Sequence, residues 1–276
     1  MKYKKLNNNL DIPVIGIGTY PLNRIALLKT VINAYSFGCR SFDTSSSYGN
    51  EKWLGLALKI LKLFRAKNIF ITTKLSNSSQ RNGDVRKALN DSIKKLGVKQ
   101  IDLYLMHWPN PETYLDSWKQ MEALYKEGLV KAIGVCNFHE HHFEKLLEIA
   151  EVIPVINQIE LHPLLSQKPL REYCERKSIQ IQGYSPVARM DPKLIKHPIL
   201  LELSKKHKKS VPQIILKWDM QNGVITIPKS GNKQRIKENL DIFDFELTKA
   251  DMIQIDSINE DYRVRYNPDS VDYYKV

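Results

Sequence analysis

Asp43 and Tyr48 lie five residues apart in the stretch SFDTSSSYGNE (41–51), Lys74 falls near the end of the run IFITTKL (69–75), and His107 near the end of DLYLMHW (102–108). An acid, a phenol, an ammonium and an imidazole are what carbonyl reduction requires, provided they converge. As hydride reaches the carbon, the oxygen gains negative charge and needs a proton donor and electrostatic support. Tyr48 can give the proton. Its ordinary pKa of about 10 is high for an acid at neutral pH, and a neighbouring ammonium lowers it. Lys74 is the candidate for that ammonium, Asp43 for the carboxylate that keeps it charged and oriented, and His107 for the donor that positions the carbonyl oxygen. Taken singly, each has a plainer explanation. Asp, Ser, Gly and Asn favour turns and local hydrogen bonds, and a lone His or Lys near a strand end is most often structural or solvated.

Something must carry these four to one place, and the pattern of the chain suggests what. Eight short β-branched or aromatic runs recur, at 14–19, 40–44, 69–75, 102–108, 132–138, 155–161, 179–185 and 224–230. Between them lie segments of helical periodicity: RIALLKTVINAYSFG with Gly38 as its stop, DVRKALNDSIKKLG with Asp84 as N-cap, then YLDSWKQMEALYKEG, HHFEKLLEIAE and PLREYCERKS. This alternation predicts βα units around a parallel sheet, and eight strands close a TIM barrel, so the fold class is α/β, a (β/α)8 barrel. In such a barrel the C-terminal strand ends share one face, which is where Asp43, Lys74 and His107 would meet. KKLNNNLDIP reads as a hairpin, so residues 1–12 are expected to cap one end. No change of composition divides the chain, and residues 1–276 read as one domain. A doubly wound dinucleotide fold also alternates strands and helices, but its G-x-G-x-x-G fingerprint is missing; the nearest match, GIGTYP (16–21), runs into proline.

Lys and Arg number 42 against 30 Asp and Glu, a net charge of +12. The basic residues are dispersed at helical spacing, as in KILKLFRAK and LSKKHKKS, and read as solvated helix faces, so no nucleic-acid partner is expected. The three cysteines, Cys39, Cys136 and Cys174, have no CxxC spacing, which argues against a disulfide framework or a cysteine metal site and for a reducing compartment. No apolar leader follows MKYKKLNNN, and no apolar run approaches the ~18 residues of a membrane span. A cytoplasmic location without a membrane partner is expected.

The ordered set Asp43, Tyr48, Lys74 and His107, followed by GVCNF (134–138), NQIELHP (157–163), GYSP (183–186) and IPKSGNKQRIKEN (227–239), resembles the aldo-keto reductase family over essentially the whole chain. The resemblance implies an NADP-dependent oxidoreductase of the alcohol dehydrogenase (NADP+) type, with those four residues as its catalytic tetrad. It also implies that Tyr184 stacks on the nicotinamide, that Asn137 and Gln158 bind its carboxamide, and that Ser185 lines the cofactor. A flat aromatic face and two amides suit those tasks chemically. Lys229, Ser230 and Arg235 surround a helix start capped by Asn232, an arrangement that suits the 2′-phosphate of NADPH. By resemblance Arg235 covers the adenine while Glu238 and Asn239 bond its edge. Tyr20, Tyr48 and Trp108 are expected to wall a cleft, with His107 at its base, for small or medium carbonyl compounds, ketoaldehydes and keto-sugars among them.

Three departures stand out. Cys136 replaces the family's usual serine, so its contact to the carboxamide would be a weak thiol one. Ser76 stands where many members have an aromatic wall, which predicts a wider, more polar pocket. Ala188 stands where many have glycine, which predicts a stiffer loop. The tail resembles the compact bacterial branch that includes diketogluconate and methylglyoxal reductases, and is expected to fold over the barrel mouth; a monomer is expected, as the family often is. The competing reading is an NADPH-binding redox sensor with slow turnover, like the potassium-channel β subunits of this family.

Overall fold

The computed structural model describes residues 2–276. Met1, part of the expected end cap, lies outside the described residues. The chain begins with an antiparallel hairpin, β1 (Tyr3–Lys5) and β2 (Asp11–Pro13). Eight parallel strands follow in sequence order: β3 (Ile17–Gly18), β4 (Ser41–Asp43), β5 (Phe70–Leu75), β6 (Leu103–Met106), β7 (Ile133–Cys136), β8 (Ile156–Glu160), β9 (Gln180–Tyr184) and β10 (Ile225–Thr226). The sheet closes on itself through backbone bonds between the first and last strands, Gly16 N–H to Thr226 O (3.0 Å), Thr226 N–H to Val14 O (3.1 Å) and Gly18 N–H to Pro228 O (3.1 Å).

The connecting helices are α1 (Arg24–Ser36), α2 (Glu51–Leu63), α3 (Asn77–Arg81), α4 (Val85–Leu96), α5 (Tyr114–Lys126), α6 (Glu140–Ile149) and α7 (Lys168–Arg176). Between β9 and β10 lie α8 (Pro192–Ile195), α9 (Pro198–His207) and α10 (Val211–Gln221); α11 (Lys233–Leu240) and α12 (Lys249–Asp256) end the regular structure. Gly38, at φ 94°, follows the end of α1 as expected. Asp84 sits at the start of α4 but its side chain makes no cap bond. Its backbone is not extended (φ −91°, ψ 35°), because its N–H is already held by Ser79 O behind α3.

Side-chain alternation sorts each strand into two faces. Outward residues such as Ile71, Tyr104, Val135, Ile159 and Ile181 join the large core beneath the helices, whereas Phe70, Leu103, Leu105 and Ile156 point into the barrel with Leu6 and Ile12 of the hairpin. The hairpin therefore plugs the end where the strands begin. Lys74 shares the inward parity of Phe70, which directs its ammonium along the barrel axis toward the opposite end. Helix α2 approaches α4 so closely that a Cβ on Gly55 would lie 2.3 Å from Lys95 O.

Candidate active site

The inward residues at the C-terminal strand ends are polar where those at the other end are apolar. Lys74, with no exposed surface, donates to Asp43 Oδ1 (2.5 Å) and to Thr44 O (2.8 Å). Gln158 donates through Nε2 to Asp43 Oδ2 (2.8 Å) and to Gln182 Oε1 (2.8 Å). Both carboxylate oxygens of Asp43 are thus engaged, and the ammonium is held against a charge that burial would otherwise make costly. The Asp43 carboxylate accordingly holds the Lys74 pKa above its ordinary value despite full burial.

Tyr48 reaches this pair from a short turn, Ser46–Tyr48, in the loop after β4. Ser45 caps the turn by accepting Ser47 N–H (3.2 Å), Gly49 leaves it at φ 65°, and Ser46 Oγ donates to Lys74 O (2.9 Å). Asn50 then anchors the loop to the segment after β3, accepting from Thr44 Oγ1 (2.6 Å) and donating to Thr19 Oγ1 (3.2 Å) and Leu22 O (2.9 Å). The Lys74 ammonium lies 5.1 Å from the Tyr48 ring centroid, and the His107 ring lies 5.7 Å from it at an interplanar angle of 73°. The four residues do converge.

The electrostatics differ from the expectation in one respect. Lys74 pulls the Tyr48 phenol down, but burial is the larger influence and lifts it to about 12. The phenol therefore stays protonated at neutral pH, available as a donor. Burial, with Lys74 and then Arg265, drives the His107 imidazole down to about 3, so it is neutral. Ser45 Oγ lies 3.3 Å from His107 Nδ1. Either atom can donate in this contact, and a Ser45 hydroxyl donating to Nδ1 would place the ring hydrogen on Nε2. The His107 ring resonances are accordingly expected not to titrate in NMR between about pH 5 and 8; a midpoint near the ordinary 6.5 would show that burial and Lys74 do not act on the ring.

On the other side of the mouth, Asn137, in a left-handed conformation (φ 62°), donates to His107 O (3.0 Å) and accepts from Tyr184 Oη (2.8 Å). These bonds fix the half-buried Tyr184 ring at the edge of the barrel. Gln158 spends both amide hydrogens on Asp43 and Gln182, so only its Oε1 remains, with the Cys136 thiol 3.9 Å away. Burial raises the Cys136 thiol well above its ordinary range, so it remains a weak neutral donor. Ser185 follows β9 at φ 52°, and Ala188, Arg189 and Met190 also have positive φ. Ala188, at φ 43°, thus holds a conformation that costs an L residue about 1–2 kcal/mol relative to glycine.

Lys229 and Arg235 are exposed beside the start of α11, and Ser230 is buried between them with its Oγ accepting Asn232 N–H (3.2 Å). Asn232 caps the helix by accepting Arg235 N–H (3.0 Å). That single cap leaves the Lys233 and Gln234 N–H groups for an outside acceptor. Glu238 accepts from Gln234 (3.0 Å), and Asn239 lies buried behind it. Tyr20 is half exposed and packs 4.9 Å from Tyr48. Trp108, by contrast, is only 4% exposed and offers little face to a ligand. Ser76 caps α3 by accepting Ser79 N–H (3.2 Å) and lines a polar depression of about 350 Å³ with Ser46, Ser47, Ser78, Ser79 and Lys95.

Three contributors were not singled out from the sequence: Ser45, Gln182 and Glu160. Each lies two residues from one that was (Asp43, Tyr184 and Gln158), so strand parity carried the signal. Glu160, 1% exposed, accepts Val264 N–H (2.8 Å) and Arg265 N–H (3.1 Å), tying the C-terminal tail to the mouth. The tail is fixed further by Asp269 to His139 Nδ1 (2.8 Å) and by Asn77 Nδ2 to Val276 O (2.9 Å). His141, His142 and Asp269 bring possible metal-ligand atoms within 4.8 Å of one another. His142 Nδ1, however, accepts His139 N–H (3.0 Å) as part of the α6 cap, so its other nitrogen carries the hydrogen and coordination there would cost the cap.

A closed eight-stranded barrel with acid, ammonium, phenol and imidazole at its mouth defines the class, a (β/α)8 oxidoreductase. A model of the Aldo/keto reductase family matches residues 14–260, and the chain belongs to that family. It is 44% identical over 268 residues to the glyoxal reductase of Bacillus subtilis (strain 168), covering 97% of this chain and 96% of the relative. It is 40% identical over 267 residues to the methylglyoxal reductase DkgA of Escherichia coli O157:H7, covering 96% of each. Among solved structures, the aldo-keto reductase MGS-M4 from a Medee basin deep-sea metagenome library superposes with a TM-score of 0.92 at 38% identity, over 99% of this chain and 100% of that one. The Bombyx mori aldo-keto reductase AKR2E4 in complex with NADP gives a TM-score of 0.89 at 33% identity, over 97% and 96%. Among the described residues no helix is long and apolar enough to cross a membrane.

Proposed function

We propose that this protein reduces small and medium aldehydes and ketones to alcohols with NADPH, 2-oxoaldehydes foremost among them. The observation that carries this reading is the convergence of the Tyr48 phenol on the buried Lys74–Asp43 pair, with His107 beside it. The cofactor is NADPH/NADP+, whose reduced form would supply the hydride when bound. Several features fit it: the half-buried Tyr184 face, the Asn137 and Gln158 amides at the mouth, and the free N–H groups at the α11 start beside Arg235 and Lys229. Ser185, Ser230, Glu238 and Asn239 complete the proposed contacts.

In this reading His107 donates from Nε2 to the substrate carbonyl oxygen and orients it toward Tyr48. Tyr48 transfers its proton to that oxygen as carbon accepts hydride, so C=O becomes CH–OH. The phenolate left behind is stabilised by Lys74, whose charge Asp43 maintains. The relatives named glyoxal and methylglyoxal reductase support 2-oxoaldehydes as the first substrates to try. The test is NADPH oxidation with glyoxal, methylglyoxal and a panel of aldehydes and diketones. No turnover above background on any of them would end the enzyme reading and favour a binding role.

Arg235→Ala is expected to weaken NADPH by about 10- to 100-fold while changing NADH far less, because a guanidinium bond to a charged group carries that much. Titration of both nucleotides by fluorescence measures it. Equal losses for the two would remove the 2′-phosphate assignment.

A further inference from the structure

The cations of this chain are spread along its length, but the carboxylates that would balance them are not. Residues 12–83 hold ten Lys and Arg against two acids, Asp43 and Glu51, and so carry +8 of the net +12 on about a quarter of the chain. Neither acid faces solvent. Asp43 is bound to Lys74, and Glu51, 2% exposed, accepts from Thr73 Oγ1 (2.7 Å) and lies 3.8 Å from Lys95 Nζ. Residues 84–276 are close to balance, with 29 Lys and Arg against 27 Asp and Glu.

The fold gathers the basic stretch on one side of the barrel, where α1 packs beside α2. Each helix turns one face to the core and leaves the same pattern outside. On α1 the exposed side chains Ile25, Lys29 and Ile32 follow at i, i+4 and i+7; on α2 Lys52, Leu56, Lys59 and Leu63 follow at i, i+4, i+7 and i+11. Phe64 ends the second stripe. Leu63 is 76% exposed and Phe64 81%. This end of α2 is held in place, since Phe64 N–H and Ala66 N–H both bond to Leu61 O (3.0 and 3.1 Å) and Lys67 N–H donates to Tyr35 Oη (3.2 Å) on α1. Among the described residues none of Lys29, Lys52, Lys59, Lys62, Arg65 and Lys67 has an ion pair; Lys62 Nζ donates only to Gly97 O (3.3 Å). Single exposed leucines are ordinary, whereas a row of apolar side chains interleaved with unpaired cations marks an interaction surface.

We infer that this side of the barrel docks on an anionic lipid surface. The cations have no exposed carboxylate between them, so their attraction to acidic headgroups is not cancelled. The apolar side chains among them are those that pass the headgroups and enter the acyl boundary, as in a helix that lies in the interface plane. A nucleic acid would take up the cations and leave Leu63 and Phe64 in water. Leu63 and Phe64 lie where α2 ends and the chain turns back to the start of β5, at the end of the barrel away from the mouth, so the docked protein keeps its cleft open. Peripheral docking needs no spanning helix, and among the described residues there is none.

Cosedimentation of the full chain with vesicles of phosphatidylglycerol and phosphatidylcholine in equal parts, and with vesicles of phosphatidylcholine alone, tests this surface. Binding is expected to the anionic vesicles only, and it should weaken as salt is raised. Lys59→Gln/Lys62→Gln/Arg65→Gln is expected to lower the partition by about a hundredfold, because each cation near an anionic surface is worth about fivefold. Leu63→Ser/Phe64→Ser should lower it by about tenfold or more. Removing as many unpaired cations elsewhere, with Lys196→Gln/Lys205→Gln/Lys208→Gln, should change it little. All eight side chains are exposed, and a thermal melt like that of wild type checks that the variants fold. No binding to the anionic vesicles overturns the docking surface. An equal loss in the two triple variants overturns it as well, by making net charge alone responsible. So does full binding by Leu63→Ser/Phe64→Ser, which would make this a surface for polyanions such as duplex DNA. The readout is binding without turnover, so its outcome is independent of the reductase reading.

Discussion

Tyr48→Phe is expected to lower kcat for carbonyl reduction by about a hundredfold to ten-thousandfold, the usual worth of a positioned acid. The ring remains, and with it the packing on Tyr20 and the edge contact to His107. What disappears is the hydroxyl and its proton. Water is a poor replacement, because the Lys74 ammonium that would stabilise its conjugate base is wholly buried behind the ring. NADPH affinity should change little, since the proposed cofactor contacts lie on Tyr184, Gln158 and the α11 start. Steady-state rates with fluorescence titration of the nucleotide separate the two effects. Turnover equal to wild type would assign the proton to another group, and a loss confined to nucleotide affinity would mean that Tyr48 holds the cofactor instead.

Asp43→Asn is expected to destabilise the fold by about 3–5 kcal/mol, the cost of leaving a buried charge without its partner. Lys74 would keep Thr44 O as an acceptor and lose the carboxylate at 2.5 Å. The pH dependence should reverse as well. In wild type the folded-state pKa of Lys74 is raised above its unfolded value, so its contribution is complete below the unfolded pKa and is lost as pH climbs through the folded one. In the variant burial acts unopposed and the folded-state pKa drops below the unfolded value. The unfolded chain then binds more protons, and stability rises with pH across that window. Urea midpoints measured from neutral to about pH 10 read both effects. A loss under about 1 kcal/mol with no change of slope would mean that Lys74 finds water or another anion in the barrel.

Much of the site could be read from the chain because β structure has a period of two and a barrel gathers its strand ends. Asp43 ends β4, Lys74 is the last residue but one of β5, His107 directly follows β6, and Asn232 caps α11 as its residue type suggests. Other features depend on distant parts of the chain. Asp84 has the right side chain for a cap, but α3 holds its backbone in the wrong conformation. Trp108 follows His107 directly yet lies buried, and adjacency in sequence says nothing about what covers a side chain. The Tyr48 phenol was expected to be lowered by Lys74, and it is raised, because the depth of burial outweighs the charge.

The sequence by itself determined the barrel, the family and the four polar residues at its mouth, since these rest on periodicity and on local motif. Only the tertiary structure decided which groups are spent and which are free. Gln158 has both amide hydrogens taken by Asp43 and Gln182, and the His107 imidazole is pushed down by burial and then by the charges of Lys74 and Arg265. The tail lies over the mouth through bonds from Glu160 to residues more than a hundred positions later. Contacts of that separation follow no local pattern, because they depend on where the closed barrel puts each strand end in space.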